Sequence, residues 1–118
     1  MNIKEFLTKP QRLYRVILNR QTELEKLEKL SQSNDLYMIP YQELQAELEK
    51  KCAEYAEASK NVNNALEQLE PLEYEIVYSK YIEGKTMQEI SESIMYGTGQ
   101  TYNYLNKAKK RLEKYLNN

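Results

Sequence analysis

The sequence predicts an all-α protein, on three observations. Only three glycines and three prolines occur in 118 residues. Apolar residues recur at alternating steps of three and four over long stretches, the spacing that places them on one face of a helix. Stop and start signals sit at the ends of these stretches. Together they predict an N-terminal antiparallel helical hairpin with coiled-coil-like heptads over 1–70. A C-terminal three-helix helix-turn-helix module follows over 71–118.

The first helix is expected from Gln11 to about Ser31, with Leu13, Ile17, Leu24, Leu27 and Leu30 along its stripe and Arg20 filling one position. "SQSNDLYMIP" then reads as a connecting loop of about nine residues, because Pro40 steers the residue before it away from helical angles. Beyond it, Tyr41, Leu48, Tyr55, Val62 and Leu69 stand seven apart, with Leu44, Cys52, Ser59 and Leu66 between them. This predicts a helix of about 29 residues with a coiled-coil seam. The first helix folds back on it, and the apolar stripe left over on the longer helix predicts a homodimer. On the outer faces, Glu25 with Lys29 and Glu47 with Lys51 have i, i+4 spacing for ion pairs.

Pro71 suits the first position of a new helix, where its missing N–H has no intrahelical partner. That helix turns Leu72, Ile76 and Tyr81 or Ile82 inward and ends at Gly84, a residue that tolerates left-handed angles. Thr86 and Glu89 form a capping-box pair opening a short helix with Met87, Ile90 and Ile94 on its buried side. A turn centred on glycine, with Gly97 and Gly99, leads to a last helix from about Thr98. Thr101, Tyr104 or Leu105, Ala108, Leu112 and Tyr115 or Leu116 form its packing side.

Composition narrows the function. With no histidine and a single cysteine, the chain lacks the usual general base and cannot build a thiolate–imidazole zinc site, so no enzyme, metal or cofactor is expected. Cys52 falls on the apolar stripe and is expected to be buried as a small hydrophobe. No apolar run is long enough to span a membrane, and the charged N-terminal stretch lacks a signal-peptide core, which predicts a cytoplasmic protein. The net charge of −1 is uneven: 5 − 1 = +4 over residues 1–20, 7 − 16 = −9 over 21–95 and 5 − 1 = +4 over 96–118. Basic ends of this kind point to a polyanion partner.

"LEYEIVYSKYIEGKTMQEISESI" followed by "KAKKRL" resembles region 4 of the sigma-70 family, over about residues 70 to 116. The whole chain is similar to small phage and prophage regulators of Gram-positive bacteria. The resemblance implies a recognition helix over about 98–116 that lies in the major groove of double-stranded DNA, and a helical pair that dimerises or contacts RNA polymerase. It sets Gly97 at the position of a capping serine, Tyr102 at a common aromatic and Ala108 at a small packing residue. Positions that are commonly basic at the start of that helix are here Gly99, Gln100 and Asn103.

The residues themselves supply a chemistry for such a contact. Gln100 and Asn103 lie three apart on the side opposite Thr101 and Leu105, and an amide side chain can bond adenine N6 and N7 together. Thr98 is placed to cap its own helix or bond a phosphate. Lys107, Lys110 and Arg111, with Lys109 and Lys114, are placed to neutralise phosphates along later turns. Arg12 and Arg15 of the first helix could join them or lie along the apolar stripe. Two other readings fit the pattern. One is a small terminase-like phage assembly subunit, and the other is a module that binds a bacterial protein.

Overall fold

The computed structural model describes residues 2–117 and is helical throughout its regular structure, with no strand among the described residues. Five α-helices follow in order: α1 (Ile3–Ser33), α2 (Met38–Leu66), α3 (Pro71–Val77), α4 (Met87–Ile94) and α5 (Thr98–Leu116). A 3₁₀ turn, Asp35–Tyr37, precedes α2, and a π-helical segment, Tyr78–Ile82, continues α3. The all-α expectation holds.

Two compact units divide the chain: Met1–Thr8 with Lys60–Asn118, and Lys9–Ser59. This division differs from the boundary expected between residues 70 and 71. The reason is the start of α1. The helix begins eight residues before Gln11, where the Asn2 side-chain oxygen accepts the Glu5 N–H at 3.1 Å, and it continues through Pro10. Its first turns carry Ile3 and Leu7, which are buried with Val62, Ala65 and Leu66 of α2 and with the core residues of α3, α4 and α5.

Within Lys9–Ser59, two contacts set the helix directions. The Tyr14 and Tyr55 rings lie 5.9 Å apart, and Arg20 Nε lies 3.5 Å from Glu47 Oε1. Numbers rise on one helix as they fall on the other, so α1 and α2 run antiparallel here. The connection is much shorter than the expected nine-residue loop. Asn34 accepts the Leu36 N–H at 3.0 Å and starts the 3₁₀ turn, and α2 follows directly. Pro40 is the third residue of α2, where a missing N–H costs no helical bond.

The seam also differs in detail. Along α2, Tyr41, Leu44, Leu48, Lys51, Tyr55 and Ala58 are buried or partly buried at alternating steps of three and four, with Glu54 and Ser59 partly buried beside them. Cys52 is exposed, contrary to expectation, because the strict repeat after Leu48 falls on Lys51. On α1, Ser31 is buried and Leu30 is 43 % exposed. The Ser31 hydroxyl donates to the Glu28 carbonyl at 2.8 Å, so a polar side chain can end the seam without an unpaired group. The expected i, i+4 ion pairs do not form among the described residues. Arg20 binds Glu23 and Glu47, and Lys51 binds Glu54.

In the other unit, α3 and α4 both pack on α5 around Ile76, Val77, Ile90, Leu105, Ala108 and Leu112. α2 ends at Leu66 instead of continuing to Leu69. The expected helix to Gly84 changes pitch after Val77, where Glu83 N–H bonds the Tyr78 carbonyl five residues back. Gly84 has φ +74, as its position after the helix requires.

Candidate nucleic-acid interface

The approach of α4 to α5 is fixed from inside by hydroxyls. Ser91 and Thr101 are buried, with their oxygens 2.9 Å apart. The Thr101 hydroxyl donates to the Gly97 carbonyl at 2.9 Å, and Ser91 shares its one proton between Thr101 and the Met87 carbonyl at 2.8 Å. Small polar residues let the two helices meet closely, and every hydroxyl is satisfied without water. The Thr86–Glu89 capping box expected at the start of α4 is present, with reciprocal backbone bonds of 3.2 Å.

The turn between these helices has a different origin from the one expected. Its left-handed residue is Met95, with φ 61 and ψ 34, while Gly97 has φ −65 and serves as the N-cap of α5. A Cβ added at Gly97 or Gly99 would meet nothing within 4 Å. The turn therefore carries strain at Met95, since left-handed angles cost a side chain about 1–2 kcal/mol. Met95 is 91 % exposed, so no packing offsets this. Met95→Gly is expected to stabilise the protein by about 1 kcal/mol in urea unfolding, with an unchanged m-value.

α5 buries Thr101, Leu105, Ala108 and Leu112, the packing side expected for it. On the opposite side lie Gln100, Asn103, Lys107, Lys110 and Lys114, all exposed and spaced three, four, three and four. At 100° per residue they fall within an arc of roughly 80°. Lys107 Nζ lies 5.7 Å from the Tyr104 ring centroid, and Tyr104 in turn lies 5.8 Å from Tyr96 beside the turn. Among the described residues, Lys107, Lys110 and Lys114 form no ion pair. Lys107 keeps its contact with the Tyr104 ring, and all three side chains are exposed.

Thr98 is the first residue of α5 and not its cap, and its exposed hydroxyl has no hydrogen-bond partner. Arg111 is placed differently from the lysines. Its Nε lies 3.1 Å from Glu73 Oε1 and its Nη2 lies 3.6 Å from Glu70 Oε1. Glu73 is 4 % exposed as a side chain and also accepts the Glu70 N–H at 3.0 Å. The guanidinium thus compensates a carboxylate at the start of α3, with half its surface left in solvent. The signal for this pairing was Glu73 itself, the third residue of a helix opened by Pro71, a position where a carboxylate turns back to the cap.

Among the described residues no cluster of side chains could hold a metal ion, and no helix is long and apolar enough to cross a membrane. No family model, curated protein or solved structure matches the chain.

Proposed function

We propose that the protein is a sequence-specific DNA-binding transcriptional regulator that sets α5 into the major groove as the second helix of a helix-turn-helix. The observation that carries this reading is one exposed stripe of α5. Two amides at its start are of the kind that reads adenine, and three unpaired lysines follow at the spacing of phosphate contacts. The phage or prophage setting and a contact with RNA polymerase rest on the resemblance to sigma-70 region 4. So does the choice of this reading over a terminase-like subunit.

The test is binding of the purified protein to its own upstream genomic duplex and to a scrambled duplex of equal length, across a salt series. Preference for the genomic duplex is expected, with a loss of about 1–3 kcal/mol on Gln100→Ala or Asn103→Ala. Three phosphate contacts give a slope of log K against log salt of about −2.7, reduced by about 0.9 on Lys110→Ala. Equal binding to both duplexes, unchanged by the amide substitutions, would rule out base reading by α5. A protein partner is the second reading, favoured by the absence of charge from Thr98 to Asn106 and by exposed Tyr96 and Tyr102 beside it.

A further inference from the structure

The helical pair Lys9–Ser59 has two broad flanks, and their chemistry differs. One flank holds Arg20 with Glu23 and Glu47, and Lys51 with Glu54 beside the seam. Its charges are largely compensated within the chain. At 100° per residue, the other flank presents Tyr14, Leu18, Gln21, Glu25 and Glu28 of α1. Antiparallel packing brings Gln42, Gln45, Glu49, Cys52 and Ala56 of α2 to the same side. All ten residues are exposed. Among the described residues, the six polar ones form no side-chain hydrogen bond or ion pair.

We propose that this flank binds the same flank of a second copy, with α1 of each packed antiparallel on α2 of the other in a four-helix bundle. The argument is self-complementarity. Tyr14 beside Tyr55 and Arg20 beside Glu47 fix which levels of the two helices meet. A two-fold axis parallel to the helices keeps those levels across the interface. Leu18 then meets Cys52 of the second copy, and Tyr14 meets Ala56. Further along, Gln21 meets Glu49, Glu25 meets Gln45, and Glu28 meets Gln42. One register gives apolar against apolar at one end and an amide donor against every carboxylate at the other. No two carboxylates face each other. Such an interface is isologous, so each complementary pair occurs twice and the assembly closes at two copies. It also supplies the second layer that a lone pair of helices lacks.

Sedimentation equilibrium of the full chain without DNA tests this. A dimer is expected, weakened about tenfold or more by Leu18→Glu, with helical circular dichroism unchanged because residue 18 is exposed. Leu18→Cys is expected to give a covalent dimer on oxidation through Cys52 of the second copy, and no covalent dimer when Cys52→Ser is added. A chain monomeric at about 100 μM overturns the proposal. So does a larger oligomer, or a dimer that Leu18→Glu leaves intact and Leu18→Cys does not cross-link. α5 is untouched throughout, so failure here is distinct from failure of the DNA reading.

Discussion

Leu7→Ala is expected to destabilise the protein by about 3 kcal/mol, although residue 7 precedes the whole helical pattern recognised in the sequence. Leu7 is fully buried among residues from α2 and from the three C-terminal helices. Truncation removes the transfer energy of its side chain and leaves a cavity that rigid helices cannot close. The loss should appear as a lower urea midpoint, with a melting temperature lower by roughly 4–8 °C for each kcal/mol. Val16→Ala on the same helix is the control. Val16 is 38 % exposed, and its truncation should shift stability by only about 0.5 kcal/mol. Equal effects of the two changes would show that the start of α1 is not part of the core.

Arg111→Met is the second large effect, expected to cost about 2–3 kcal/mol. Removing one partner of a buried ion pair typically costs about 3–5 kcal/mol, because the other charge stays desolvated. The lower figure applies because the Arg111 side chain is 51 % exposed and solvent screens its half of the pair. Methionine keeps most of the apolar stem, so the loss reports the charge. Adding Glu73→Gln should recover part of it, since a neutral amide no longer needs a cation. The same variant separates structure from recognition. If Arg111 serves Glu73, the salt dependence of DNA binding is unchanged in Arg111→Met. If it serves a phosphate, the slope falls by about 0.9.

These two residues show what the sequence did and did not disclose. The class of fold, the length of α2, the capping box at Thr86 and the buried side of α5 all followed from spacing, because each depends on neighbours within one helix. The errors arose where the deciding partner lies far along the chain. Leu7 stands before a proline, and nothing local says that a core awaits it. Arg111 sits in a run of basic residues, and only the fold brings Glu73 beside it. Cys52 and Leu30 were misplaced for a local reason. Hydrophobic identity was preferred to strict alternation, while the helix kept its repeat and accepted Lys51 and Ser31. The exposed stripe of α5 was legible in that Gln100, Asn103, Lys107, Lys110 and Lys114 were all named, while Arg111, named with them, pairs with Glu73.

The joining of residues 2–8 to a core made from residues 60–117 also bears on the order of events during synthesis. Ile3 and Leu7 leave the ribosome about a hundred residues before their partners Leu105, Ala108 and Leu112. Lys9–Ser59 can pair its helices while the rest is still being made, because its contacts are complete early. The other unit has to wait for α5 and then close across the intervening segment, which raises the contact order for an all-helical protein. Until then Ile3 and Leu7 stand uncovered, open to a chaperone or to a neighbouring nascent chain.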